Sequence, residues 1–168
     1  MQQIIKENRI IHNSWTLIEE NQTTEFSPTV GEFYILPISI WLQQAPTFID
    51  FIGVPGIRIS GNEELESIAE IIRLTPLIAV EFTAFTDGSG FSTASILRQT
   101  YGYEGEIRAF GSLLPDQAPY LFRCGFNALA LPQEHDLEAA LILLEDSDTS
   151  YQGSALEPRT PFHLRLVK

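Results

Sequence analysis

The chain has 168 residues, of which 44% are hydrophobic and 19% charged, and its formal net charge is −12. This length predicts one domain that buries about two-thirds of the surface exposed by the unfolded chain. The acidic balance excludes a nucleic-acid-binding protein, because phosphate backbones are bound by clustered Lys and Arg. A basic protein partner stays open as an alternative.

The sequence also indicates where in the cell the protein is located. No apolar run approaches the roughly 20 residues of a membrane span, so no membrane association is expected. The first ten residues, MQQIIKENRI, lack the apolar core of a signal peptide. The single cysteine, Cys124, cannot form an internal disulfide, which fits a reducing compartment. A cytoplasmic protein is therefore expected.

The first third of the chain predicts short, irregular elements. The run QIIKENRIIHN indicates two strands that turn at Glu7-Asn8, and residues 21–31 form a polar loop. EFYIL (32–36) predicts a strand. ISIWLQQ (38–44) predicts a short helix that ends before Pro46.

Residues 56–146 alternate regularly between strand and helix patterns. Strands are predicted at 56–60, 77–82, 106–110 and 126–131, with helices after each at 62–74, 92–101, 115–124 and 135–146. Asn62 is the expected N-cap of the first helix, and Thr75-Pro76 ends it. Four β-α units in a row predict an α/β fold with a parallel sheet, preceded by an N-terminal β-hairpin.

The possible closures of the sheet follow from this count. The sheet is either open or half-barrel-like, because eight units close a full barrel and four do not. A homodimer is a further hypothesis, since so short an array leaves open sheet edges.

The loop FTDGSGFS (85–92) follows the apolar strand LIAVEF, at the strand end where parallel α/β proteins bind ligands. It lacks the lysine of a phosphate-binding P-loop and the later oxygen ligands of an EF-hand. It also lacks the third glycine of a dinucleotide fingerprint, because Thr93 stands there. Two interpretations stay open: turns with Ser92 as a helix cap, or an unspecified ligand site.

A second polar pair, Asp116-Gln117, opens the helix after the next strand, with capping as its simpler interpretation. Consecutive β-α units would bring this pair and the 85–92 loop to one edge of the sheet, in a cleft of net negative charge. Such a cleft suits a cation, a polar neutral ligand or a basic side chain of a partner. The ligand-binding candidates are Thr86, Asp87, Gly88, Gly90, Ser92, Asp116 and Gln117.

The sequence gives little support for a metal site, a reactive thiol, an anion site or a bound cofactor. The three histidines are scattered, so no metal site is predicted. Cys124 ends a predicted helix, where the dipole disfavours a thiolate, and is expected to be structural. Arg98 and Arg123 are expected to pair with surface acids rather than bind an anion. No flavin, nicotinamide, haem or iron–sulfur signature occurs, so no cofactor is predicted and catalytic residues are not assigned.

Residues 82–131 resemble an uncharacterised bacterial family, a domain of unknown function often labelled an oxidoreductase and encoded beside assimilatory sulfite reductase. A weaker likeness extends over about 1–152, and this extent implies a single α/β domain over 1–152 and a C-terminal tail over 153–168. The chain departs from the family pattern at Thr83-Ala84, Ser89 and Pro115, where basic groups usually stand, and this weakens the case for an anion at the loop. The shared pattern is Phe85-Thr86-Asp87-Gly88-x-Gly90-aromatic-Ser92, Leu97-Arg98, Gly102-Tyr103-x-Gly105-Glu106-x-Arg108-Ala109, Gly111, Asp116-Gln117 and Arg123-Cys124-Gly125-Phe126.

The resemblance implies one of two functions. The first is an accessory protein of assimilatory sulfate or sulfite reduction that binds a partner or a small ligand, the partner being sulfite reductase or another sulfur-assimilation protein. The second is a small oxidoreductase or other ligand-dependent enzyme that uses the strand-end loops 83–92 and 111–117. Whether the chain is an enzyme stays open at this stage.

Overall fold

An eight-stranded sheet forms the centre of the computed structural model, which describes residues 2–19, 29–43 and 53–146. Most strands are only three to six residues long. The strands are β1 (Gln3–Lys6), β2 (Arg9–His12), β3 (Trp15–Leu17), β4 (Phe33–Pro37), β5 (Gly56–Ser60), β6 (Leu77–Phe82), β7 (Glu106–Gly111) and β8 (Ala128–Ala130).

The helices follow the parallel strands. Short 3-10 turns, Leu65–Ile68 and Pro115–Gln117, lead into two of them. The helices are α1 (38–43), α2 (Ala69–Leu74), α3 (Ser89–Gln99), α4 (Ala118–Cys124) and α5 (Leu137–Asp146).

The strands lie in the spatial order β2-β1-β8-β7-β6-β5-β4-β3. Strands β3 to β8 pair in parallel with their neighbours along the chain. The hairpin β1–β2 is antiparallel and adds to the far side of β8 through the pair Ile5↔Leu129. Because successive strands are neighbours and such crossovers are right-handed, the helices fall on one face of the sheet.

The main core lies between that face and the helices. Alternate strand residues such as Ile78, Val80 and Phe82 point to it and meet Ala94 and Leu97 of α3, all of them buried. The opposite strand positions, including Leu77 and Ala79, belong to a separate small cluster on the other face. The sheet therefore has a helix-covered face and a concave face on which none of the described helices packs.

The sheet curls into a half-barrel, and the chain between β2 and β3 shows how far. These two strands are the outer strands of the sheet, yet only Asn13 and Ser14 separate them. A flat sheet of eight strands would hold its outer strands about 34 Å apart, at ~4.8 Å per neighbour. The three Cα steps from His12 to Trp15 span at most about 11 Å. The two edges must therefore approach each other here.

The predicted α/β class and its main parallel strands are confirmed. LIAVEF lies between β5 and β7, with a helix-covered face and a concave face that buries Leu77 and Ala79. The hairpin turns at Glu7 and Asn8, both with positive φ (49° and 57°), as a type I′ turn requires. Of the two closures considered, the half-barrel is the one observed.

Three element boundaries were predicted wrongly. The helix expected from Asn62 begins as a 3-10 turn at Leu65, because residues 60–63 turn through Glu63 N–H to the Ser60 carbonyl. The helix expected from Ser92 begins three residues earlier, at Ser89. The strand expected over 126–131 is limited to Ala128–Ala130, and β3 was not anticipated. Most of the predicted loop 21–31 and the end of helix 38–44 lie outside the described residues.

Candidate functional site

Asp87, the central acid of the predicted loop, caps the start of α3. Its carboxylate accepts the Ser89 backbone N–H over 3.0 Å and the Ser89 hydroxyl over 2.6 Å. The Ser89 hydroxyl and backbone hydrogen bonds hold the pKa of Asp87 below its ordinary value. The neighbouring Thr86 and Gly88 are exposed. The carboxylate thus has a structural role whether or not it also binds a ligand.

The other two candidates of this loop lie within α3 itself. Gly90 is buried against the Phe82 ring, since a Cβ at Gly90 would come 2.6 Å from Cζ. Ser92 is exposed and lies inside the helix rather than just before it, so the expected capping role of Ser92 is wrong. Its place is taken by Asp87, because the helix begins at Ser89.

The second polar pair is also local in its contacts. The Gln117 side-chain oxygen accepts the Leu114 backbone N–H over 2.9 Å, as in a capping box, and Asp116 is exposed. The two loops meet through Ser112, which donates to the Phe82 and Thr83 carbonyls. No hydrogen bond in the described residues joins the candidate side chains of one loop to those of the other. The shared acidic cleft stays a prediction.

A pocket opens instead on the concave face of the sheet. Its volume is about 300 Å³, at the lower end of the range for small-molecule sites. Strands far apart in the sheet contribute to it, because Trp15 belongs to the outer strand β3 and Ala130 to β8, five strands away. The lining residues are Gln2, Asn13, Trp15, Leu17, Ile35, Ala79, Arg108, Phe110, Gly111, Ala130, Leu131 and Pro132.

The wall of this pocket contains a buried arginine. Arg108 is only 3% exposed, and its Nε donates to Glu106 Oε1 over 2.7 Å. Its Nη2 lies 2.6 Å from the same oxygen, and its Nη1 donates to Asn13 Oδ1 over 3.0 Å. Glu106 also pairs with Lys6 over 2.8 Å. Burial lowers the pKa of Arg108 and the Glu106 charge offsets part of that effect, but a guanidinium stays protonated.

Asn13 connects this arginine to the closure of the sheet. Its side-chain oxygen accepts both the Trp15 backbone N–H and Arg108 Nη1, each over 3.0 Å. Asn13 belongs to the two-residue link between the edge strands, whereas Arg108 lies on β7 in the middle of the sheet. One hydrogen bond therefore ties the edge of the half-barrel to its interior.

A second arginine, Arg58, lies in the same row across the sheet, with Ala79 between it and Arg108. It donates to Glu81 from Nε and Nη2, over 3.0 and 2.7 Å, and pairs with Glu19 over 3.2 Å. Burial alone would lower the pKa of Arg58, but the hydrogen bonds and charges of Glu81 and Glu19 together outweigh it and raise that pKa. Arg58 does not line the pocket.

Sequence reasoning missed the concave pocket, although one signal was present. In a parallel strand covered on both faces nearly every residue is apolar. The strand EIRAF instead alternates, with Glu106, Arg108 and Phe110 on one face and Ile107 and Ala109 on the other. That alternation marks a face that the described helices do not cover.

Two further predictions can be compared with the geometry. Cys124 is partly buried at the end of α4, and burial raises the pKa of its thiol. Arg98 was expected to pair with acids; it donates instead to the backbone carbonyls of Tyr103, Gly105 and Gly125.

Groups of three or more His, Cys, Asp or Glu able to hold a metal are absent from the described ranges. Within the same ranges no helix is long and apolar enough to cross a membrane.

The fold and this pocket define the class: an α/β half-barrel with a mostly apolar pocket on its concave face. The chain belongs to a family described as bacterial protein of unknown function (DUF934), whose model matches residues 56–162. The match ends at residue 162, whereas the sequence analysis placed the end of the domain at residue 152. Neither the curated proteins nor the solved structures contain a match to the chain.

Proposed function

We propose that this protein is a cytoplasmic accessory protein of assimilatory sulfate or sulfite reduction that acts by binding a small ligand in its concave pocket. The main support for this proposal is the pocket, because its volume of about 300 Å³ can hold a small molecule and the buried Arg108 lines it. The sulfur-assimilation setting is supported by the family resemblance of residues 82–131. Sulfite reductase or another protein of that pathway is the proposed partner.

The pocket lining favours binding over catalysis. Its polar side chains are Gln2, Asn13 and Arg108, and the other lining residues are apolar or glycine. General acid–base and nucleophilic catalysis need a carboxylate, imidazole, thiol, hydroxyl or amine at the reacting atoms. None of the lining residues supplies one. The pocket is therefore suited to holding and orienting a molecule.

The alternative function, a small oxidoreductase using loops 83–92 and 111–117, places the chemistry at the strand ends. The candidate side chains Asp87 and Gln117 are occupied there in capping hydrogen bonds. A visible absorption spectrum of protein purified from the native host separates the two functions. A flavin or metal band that copurifies in equal proportion with the chain would favour the oxidoreductase.

The accessory role is tested by capturing the tagged chain from its native host and by complementing a deletion strain for growth on sulfate. We expect sulfite reductase subunits to be captured with the chain. Ala130→Leu, which fills the pocket from β8, should lose complementation. Thr16→Leu is the matched control, because Thr16 is exposed and does not line the pocket.

Two outcomes would contradict the proposal. Capture without any sulfur-assimilation protein, together with normal growth of the deletion strain on sulfate, would contradict the pathway. Full complementation by a stably folded Ala130→Leu variant would contradict the pocket as the functional element.

A further inference from the structure

The concave pocket has hydrogen-bond donors in excess of acceptors. A guanidinium carries five N–H groups, one on Nε and two on each Nη. The contacts of Arg108 with Glu106 and Asn13 engage one hydrogen on each nitrogen. One N–H on each Nη is therefore left for an acceptor, and Arg108 lines the pocket. The Asn13 oxygen already accepts two hydrogen bonds, so this amide can offer its NH₂ group.

The charge beside the pocket is positive, although the whole chain is acidic. Glu106 is 7% exposed and lies between two cations, with Lys6 on Oε2 and Arg108 on Oε1. Two positive charges and one negative charge leave a net +1 in this cluster, in which Glu106 and Arg108 are buried and Lys6 is 34% exposed. One monoanionic ligand group beside Arg108 would balance this net charge.

The remaining walls are apolar and include two aromatic rings. Trp15 and Phe110 line the pocket together with aliphatic residues such as Leu17 and Ile35. A volume of about 300 Å³ equals that of ~10 water molecules at ~30 Å³ each. A molecule that fills it is thus small, and a flat apolar body would suit walls that carry two aromatic rings. Sulfite and sulfate are compact and strongly hydrated, and would leave these walls uncovered.

We propose that the pocket binds a small planar carboxylate, with its carboxylate on Arg108 and Asn13 and its apolar body against Trp15 and Phe110. This inference rests on the proposed function of the concave pocket as a ligand-binding site, and it adds the chemical class of the ligand. Arginine suits a carboxylate because its planar N–H groups match the two oxygens. Small residues such as Ala79 leave room for the body of the ligand.

The test compares three benzene derivatives of similar size on the unmodified 168-residue chain: benzoate, benzamide and benzylamine. Binding is followed by calorimetry, and by the fluorescence of Trp15 in a Trp41→Phe background, since the chain has only these two tryptophans. Trp41 is buried in the helix-side core, away from the pocket. We expect benzoate to bind about tenfold more tightly than benzamide, because a charge-assisted pair replaces a neutral one. Benzylamine and sulfite should bind more weakly than both.

The matched variants are Arg108→Gln and Arg58→Gln. Each removes one positive charge from the concave face, but only Arg108 lines the pocket. Arg108→Gln should abolish the preference for benzoate over benzamide, and Arg58→Gln should keep it within about twofold. If Arg108→Gln does not fold, the series of probes on the unmodified chain decides alone.

Equal binding of benzoate and benzamide, stronger binding of benzylamine, or no binding of any carboxylate at millimolar concentration would each overturn the inference. The proposed function is judged separately by Ala130→Leu. Loss of complementation in that variant, with no benzoate preference, removes only the carboxylate class. Full complementation by that variant removes the pocket function itself.

Discussion

Gly90, in the first turn of α3, lies directly against the ring of Phe82 at the end of β6, so that a Cβ at Gly90 would come 2.6 Å from Cζ. Phe82 is fully buried and also packs against Phe91 and Phe126, at centroid distances of 5.2 and 5.9 Å. The ring therefore cannot move aside. We expect Gly90→Ala to lower the free energy of unfolding by about 1–3 kcal/mol, measured by urea denaturation.

Gly88 supplies the matched control two residues earlier. Its φ is −91° and a Cβ there meets nothing within 4 Å, so Gly88→Ala should change stability by less than about 1 kcal/mol. If the two variants were equally stable, the close packing of Gly90 on Phe82 would be wrong. If Gly88→Ala alone lost complementation without losing stability, the loop would be a binding site as first predicted.

The regular part of the fold was predictable because its signals are local. The apolar run 77–82 predicts a central parallel strand, and Thr75-Pro76 predicts the end of the preceding helix, which ends at Leu74. Curvature had no local signal. It depends on the pairing of Ile5 with Leu129 and on the position of β3, both of which are contacts between distant parts of the chain.

A pH prediction follows from the capping role of Asp87. Its pKa is lowered in the folded protein by hydrogen bonds from Ser89, so its contribution to stability is present above the unfolded pKa, near 3.9. The contribution is lost as the pH falls through the lower folded value. We expect the stability advantage over Asp87→Asn to be constant from about pH 5 to 7 and to shrink below about pH 4. An advantage that grows at low pH would contradict the assignment.

Arg98 joins α3 to two loops at once. Its Nε donates to the Gly125 carbonyl over 2.9 Å, and its Nη1 donates to the Tyr103 and Gly105 carbonyls. We expect Arg98→Met to cost about 2–4 kcal/mol in urea unfolding, because it leaves these carbonyls without their donor. The control is Arg73→Met, whose partner Glu70 is 83% exposed and whose loss should cost less than about 0.5 kcal/mol. Equal costs for the two variants would contradict this role.

The homodimer hypothesis has lost its original premise. It rested on four strands that could not close, whereas the sheet has eight strands and its edges approach each other at Asn13. The oligomeric state stays a prediction.

The sequence did not predict the pocket for a related reason. Its lining includes both Trp15 and Ala130, and only the curling of the sheet brings these two residues to one pocket.

Cys124 should react slowly with alkylating reagents. Burial raises the pKa of its thiol, and the hydrogen bonds from Tyr120 and Ser95 offset this only in part. A raised pKa means a smaller thiolate fraction at pH 8 and therefore slower alkylation. We expect iodoacetamide to modify the folded chain more slowly than the chain in urea, measured by intact mass. Faster modification of the folded chain would indicate a reactive thiol and favour the oxidoreductase alternative.

The last prediction concerns the buried pair Glu106 and Arg108. Glu106 has a second charged partner, Lys6, whereas the second partner of Arg108 is the neutral Asn13. Glu106→Gln removes the one carboxylate among the described residues that Arg108 contacts and leaves a 3% exposed cation without a counter-charge, which should cost about 3–5 kcal/mol. Arg108→Gln leaves Glu106 paired with Lys6 and should cost less, about 1–3 kcal/mol. The double variant should cost less than the two single variants together, because the two side chains are coupled. Urea unfolding of the three variants measures this, and equal, additive costs would contradict the buried pair.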